Sequence, residues 1–202
     1  MSHPKIPPSK LSIAELEPFE GLTLENIVLV TDAAKAEAAY DDLKRAGDVG
    51  FDTESKPTFH KGQKSEGPHV LQFSTAERAY IFQSHVEESR DVIVRLLRST
   101  EIHKIGFDLR GDLTHILSRF GIHPGGIIDL DRTFRKLGYR NAIGAKSAIA
   151  MLFQRRLMKS KSVTTSNWAS RRLSDAQVVY AANDAYAALV VFQALNNEAS
   201  GA

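Results

Sequence analysis

The segment Val49-Gly50-Phe51-Asp52-Thr53-Glu54 constrains this chain more than any other. Its apolar character predicts a β-strand, and strand side chains alternate between the two faces of a sheet. Asp52 and Glu54 therefore share one face, and Phe51 and Thr53 take the other. Two neighbouring carboxylates on a largely apolar strand repel each other unless a cation lies between them. A hard divalent ion with oxygen ligands meets that need. Taken alone, Asp-x-Glu is a common pattern, and a solvated strand end also accounts for it.

The chain of 202 residues suits one ordinary domain, and its 43% apolar content is enough for a sizeable core. Residues 1–20 carry Pro4, Pro7, Pro8 and Pro18 and read as an extended or flexible arm, leaving 21–202 as a single domain. Strands are predicted at 27–30, 49–54, 69–74, 79–82, 102–107 and 127–130. Helices are predicted over 32–45, 87–98, 110–120, 131–137 and 146–157. A last long helix is expected to run to about residue 197, opened by a capping box of Ser174 and Gln177. Early strands followed by helix–strand alternation indicate an α/β sandwich around a mixed sheet. The polar, proline-bearing start is unlike an export signal, and no apolar run approaches a membrane span, so no membrane partner is expected. Cysteine is absent, which excludes thiolate ligands and leaves carboxylates and histidines; it also fits a cytoplasmic protein.

Two more acidic segments stand out. Tyr180 and Asp184 are four apart on the last helix and so share one face. The carboxylate there can bind a metal while the phenol holds a water. Taken as an isolated pattern, an ordinary amphipathic helix with a tyrosine at the core boundary is the simpler account of the pair. In Lys104-Ile105-Gly106-Phe107-Asp108-Leu109-Arg110-Gly111-Asp112, a strand ends and a helix begins. Asp112 falls in the first helical turn, where acids also favour the helix dipole, and Asp108 is a rival for the functional acid. His103 and His115 lie nearby and read as surface or helix residues.

The net charge of +2 does not announce a nucleic-acid partner, but its distribution is uneven. Arg155, Arg156, Lys159, Lys161, Arg171 and Arg172 crowd one stretch, and Lys56, Lys61 and Lys64 another. Basic stripes beside an acidic site could hold a phosphate chain; a solvated surface explains either cluster alone.

Together these segments resemble the DEDD superfamily of 3′–5′ exonucleases, in the subgroup whose last motif is Tyr-x-x-x-Asp. Phe51-Asp52-Thr53-Glu54 matches the first motif, Asp112 centres the second, and Tyr180 with Asp184 makes the third. The stretch Lys159-Ser160-Lys161 through Ser166-Asn167-Trp168 is similar to the family's lysine-bearing approach to a Ser-x-Trp element. Leu173-Ser174-Asp175-Ala176-Gln177 then leads into Tyr180-Ala181-Ala182-Asn183-Asp184-Ala185-Tyr186. The pattern is most like the Werner-syndrome type exonuclease domain, with ribonuclease D proteins as broader relatives.

The resemblance implies a ribonuclease-H-like three-layer fold, with a five-stranded mixed sheet flanked by helices, and it selects Asp112 over Asp108. It implies two divalent cations, Mg²⁺ or Mn²⁺, held by Asp52, Glu54, Asp112 and Asp184, with Tyr180 orienting the attacking water. The expected substrate is a nucleic acid with a free 3′ end, DNA favoured, shortened to nucleoside 5′-monophosphates. Leu71 and Phe73 could wedge against the terminal base, or simply belong to a buried strand. Trp168 could brace the tyrosine-bearing helix or stack on a base. Lys159, Lys161 and Arg171 could contact phosphates. Competing readings are a ribonuclease D-like RNA-trimming enzyme, a cleaner of short oligonucleotides, an inactive nucleic-acid-binding module, and a ribonuclease-H-like endonuclease.

Overall fold

In the computed structural model, which describes residues 5–58 and 65–200, the Asp-x-Glu segment lies on an inner strand of a six-stranded sheet. In chain order the elements begin with α1 (Lys10–Ala14), β1 (Ile27–Val30), α2 (Ala33–Ala46), β2 (Asp48–Glu54), β3 (Val70–Ser74), β4 (Ala79–Gln83) and α3 (Arg90–Arg98). They continue with β5 (His103–Gly106), α4 (Arg110–Phe120), β6 (Ile127–Asp129), α5 (Leu130–Lys136), α6 (Ala145–Phe153), α7 (Lys161–Thr164) and α8 (Asp175–Ser200). The strand order is β1-β4-β3-β2-β5-β6. β3 runs antiparallel to both β2 and β4, and the other pairings are parallel. The sheet is mixed, as expected, but it has six strands rather than five. The short apolar run of β1 supplies an edge, pairing Ile27–Val30 along β4.

Every residue of β3 and β4 is buried, as befits strands covered on both faces. On one face Phe51, Leu71, Phe73 and Phe82 pack against α2 and α3. Asp32 caps α2 by accepting from the Lys35 amide at 2.9 Å, and its buried Ala36, Ala39 and Leu43 fall at helical spacing. The opposite face is covered by α8, whose Val178, Ala181 and Ala182 meet Val70 and Ile81. Farther along, Ala187, Ala188 and Val191 join Phe134 of α5 and Ile149 of α6.

α8 begins with the predicted capping box: the Gln177 amide donates to Ser174 Oγ at 3.3 Å, and the Ser174 amide donates to Gln177 Oε1 at 3.0 Å. By length and composition residues 175–198 would suffice to cross a membrane, contrary to the expectation that no run comes close. Here that apolar length covers the sheet. Its approach is close because Gly50, on the same strand face as Asp52 and Glu54, has no side chain. A Cβ there would fall on the Ala185 carbonyl. Gly50 and the small α8 residues thus set the distance at which Asp184 meets β2.

The first twenty residues, read as an arm, include the helical turn α1, capped by Ser9 accepting from the Ser12 amide at 3.1 Å. The segment then pairs Pro18 with Arg156 and sets the Phe19 ring 5.7 Å from Phe153 and 6.2 Å from Tyr186. Asn183 of α8 clamps the next peptide from both sides, accepting from the Leu22 amide at 2.7 Å and donating to its carbonyl at 3.0 Å.

Candidate active site

Strand alternation puts Asp52 and Glu54 on the face covered by α8, and α8 lowers Asp184 onto them. One carboxylate oxygen from each of the three lies within 4.8 Å of the others. Tyr180, one turn before Asp184, is nearly buried and receives a hydrogen bond from Thr164 Oγ1 at 2.9 Å. That bond occupies an acceptor site on the phenol and leaves its own proton available to Asp184, whose pKa Tyr180 helps to lower. Asp112, in the first turn of α4, does not join the group of three. It accepts a hydrogen bond from Thr53 Oγ1 and lies close enough to raise the pKa of both Asp52 and Glu54. Asp108, its rival, is exposed in a left-handed backbone conformation (φ 49°), with its amide donating to Asp129 Oδ1 at 3.1 Å. Among the described residues neither histidine joins the acid group. His103 meets Asp48 at 2.7 Å, and His115 stands 3.5 Å from Ser55 Oγ.

The electrostatics match the crowding. Burial pushes Asp52 well above the usual carboxylate range, with Asp112 and Asp184 adding to it. Burial, then Asp52 and Asp184, push Glu54 up to about 9. Asp184 is raised by burial despite Lys159, and Asp112 is raised by burial despite its bond from Thr53. Burial and Asp184 push the Tyr180 phenol to about 12, so it stays protonated at neutral pH. Lys159 relieves the site most directly: its Nζ lies 2.8 Å from Asp184 Oδ2 and 5.6 Å from the Tyr180 ring centre. Burial alone would lower the pKa of Lys159, but Asp184 and Tyr180 outweigh it and hold the ammonium charged.

An all-oxygen donor set, gathered this tightly and unable to ionise fully on its own, fits hard divalent cations. Gln72 fits as well. It pairs directly with Asp52 across the antiparallel ladder, so the two side chains share a face, and both polar atoms of its buried amide lack partners. Gln72 escaped the sequence reading, although a glutamine inside Val70-Leu71-Gln72-Phe73 is the signal that could have found it. Thr53, Thr164 and Asn183 were also missed, because their partners are distant in sequence.

Several proposed substrate contacts require correction. Leu71, Phe73 and Trp168 are fully buried. Phe73 packs 5.0 Å from Phe51 and 5.7 Å from Phe82, centre to centre, so a base could reach it only by opening the core. Trp168 donates to the Thr164 carbonyl at 3.2 Å and lies 5.9 Å from the Tyr180 ring, which makes it a brace for the surroundings of Tyr180. Lys161, Arg171 and Lys56 are exposed. Lys61 and Lys64 lie outside the described residues.

Comparison with known proteins gives a consistent result. The model of a 3′–5′ exonuclease family matches residues 27–200. The mouse bifunctional 3′–5′ exonuclease/ATP-dependent helicase WRN is 32% identical over 152 residues, covering 74% of this chain and 11% of that protein. An Arabidopsis thaliana 3′–5′ exonuclease is 27% identical over 154 residues, covering 74% of this chain and 52% of its own length. The chain thus spans only part of these relatives. Among solved structures, the Aedes aegypti Nibbler EXO domain shares the fold, with a TM-score of 0.73 at 21% identity over 89% of this chain and 91% of that one.

Proposed function

The chain belongs to the 3′–5′ exonuclease family, and on that premise we propose that it removes nucleotides from the free 3′ end of a nucleic acid, with Asp52, Glu54, Asp112 and Asp184 as its metal-binding acids. The observation that carries this reading is the meeting of Asp184 from α8 with Asp52 and Glu54 from β2. Members of such a family depend on divalent metal and hydrolyse phosphodiester bonds. Two ions, Mg²⁺ or Mn²⁺, are proposed here: Asp52, Glu54 and Asp184 would hold them, with Asp112 in support. Bound there, they would acidify a water and stabilise the charge that develops on the scissile phosphate.

The chain's own residues supply positioning. Tyr180 stays a neutral phenol at physiological pH, so it orients the attacking water by hydrogen bonding and does not act as a phenolate base. Thr164 fixes the direction of that phenol, and Trp168 fixes Thr164. Thr53 holds Asp112 at the rim of the acid group. Lys159, which neutralises Asp184 here, would be free to contact the substrate phosphate once metal took over that charge, and Lys161 at the start of α7 is a candidate for the next one.

The test is laddering of end-labelled single-stranded and recessed DNA and RNA with Mg²⁺ or Mn²⁺, which also reads the preferred sugar. Asp52→Asn keeps the shape and removes the charge, and is expected to abolish the ladder. Turnover by that variant at the unmodified rate, or cleavage of a circular strand, overturns the assignment.

A further inference from the structure

A groove of about 600 Å³ opens between α1, α6 and the segment after α6, beside the acid cluster. Lys10, Lys146, Arg156 and Lys159 line it, and none of its lining residues is acidic. Its floor is apolar: Ile13 and Leu157 are buried, and Met158 is 61% exposed. The groove is continuous with the site already described, since Lys159 reaches Asp184 at 2.8 Å and Lys146 also acts on Asp184 electrostatically.

Lys159 is held by Asp184, but local energetics do not explain Lys10 and Lys146. Lys10 and Lys146 have no ion pair among the described residues. Lys146 stands in the first turn of α6, where the helix dipole disfavours a positive charge and where α6 has no acid. Arg156 donates to the Ala14 carbonyl at 2.8 Å, but its buried Nε has no acceptor. Lys10 and Lys146, with no ion pair among the described residues and lining one groove with Arg156 and the Asp184-bound Lys159, indicate a polyanion as the occupant. The wall carrying Lys10 and Ile13 comes from the N-terminal segment, outside the 27–200 stretch that the family model matches.

We propose that this groove receives the phosphodiester backbone of the substrate strand on the 5′ side of the scissile bond, with Lys10 and Lys146 as phosphate contacts. The proposal rests on the exonuclease reading, which puts the 3′ end at the acids and obliges the rest of the strand to leave along some path. Among the described residues, the α1–α6 groove is a cationic path that begins there. With an aliphatic floor and no aromatic platform, the groove grips the backbone without reading sequence.

The experiment uses Lys10→Ala/Lys146→Ala and the rescuing Lys10→Arg/Lys146→Arg; both positions are exposed, neither belongs to the acid group, and the arginine pair keeps the charge through which Lys146 acts on Asp184. Binding of a fluorescent 12-nucleotide strand is measured across salt concentrations in the Asp52→Asn background. Loss of two phosphate contacts should reduce the log–log salt slope by about 1.4, and the arginine pair should restore it. In the otherwise unmodified chain, KM should rise for the 12-mer and stay unchanged for a dinucleotide. An unchanged slope and KM overturns the proposal, and so does an equal KM rise for both substrates. If the unmodified chain fails to shorten any strand, the exonuclease reading fails instead, while the salt slope still reports on the groove.

Discussion

Lys159 is the residue whose removal should reveal most about how this site tolerates its own charge. Its ammonium lies 2.8 Å from Asp184, with 25% of the lysine side chain and 4% of the aspartate side chain exposed. At an effective dielectric constant of about 20, the gross attraction at that separation is roughly 6 kcal/mol. Desolvation of both groups offsets part of it. Breaking such a pair from one side costs about 3–5 kcal/mol, because a buried charge is left uncompensated. Lys159→Met keeps the apolar stem and removes the charge. In EDTA, about 3 kcal/mol in a domain of this size should lower Tm by about 6–12 °C. With saturating Mn²⁺ the loss should shrink to less than half, since divalent ions then neutralise the same acids. The variant should also bind Mn²⁺ on the order of tenfold more tightly, because no ammonium has to be displaced, a change equivalent to about 1.4 kcal/mol. Differential scanning fluorimetry and Mn²⁺ electron paramagnetic resonance read the two quantities. An equal Tm loss with and without Mn²⁺, or unchanged Mn²⁺ affinity, would refute the idea that Lys159 and the metals share one role.

The remaining predictions use the same acids and the helix above them. Glu54 ionises at about 9 in the folded chain against an ordinary 4.5. The folded state therefore holds the proton more tightly, and this stabilisation is complete below about 4.5 and lost as pH rises to about 9. Melting in EDTA should show Tm falling across that window, and saturating Mg²⁺ should flatten the fall; a flat profile in EDTA would contradict the crowding of the acids. Gly50→Ala should cost about 1–3 kcal/mol, because its methyl meets the Ala185 carbonyl, and should weaken Mn²⁺ binding by lifting Asp184 off β2. Gly111→Ala is the control: nothing lies near its Cβ, and alanine favours the helix, so Tm should hold or rise. Equal effects at the two glycines would sink the claim that the approach of α8 sets the metal site.

Legibility in the sequence followed the range of the interaction. Asp52 with Glu54, and Tyr180 with Asp184, could be paired on paper because each pair spans one repeat of a regular element, period two in one case and one helical turn in the other. Bringing the two pairs together needed α8 to cross β2, and periodicity does not encode a crossing. Motif resemblance supplied that join, and with it the preference for Asp112, whose tie to Thr53 spans 59 residues. The failures have the same origin. Leu71, Phe73 and Trp168 are apolar residues near the motifs, and composition alone does not say whether such a residue faces a ligand or a helix; here α2, α3 and α8 close over both sheet faces. The basic stretch from Arg155 to Arg172 reads as one stripe, yet the fold divides it. Lys159 turns inward to Asp184, Arg156 ties down the N-terminal segment, and Arg171 stays in solvent. Gly50 carried legible information that went unused. A glycine two residues before Asp52, on the face of both acids, is a place where another backbone can approach. Read that way, it marks where the third acid must arrive, because only an element lying directly on β2 can lower a short aspartate side chain onto Asp52 and Glu54.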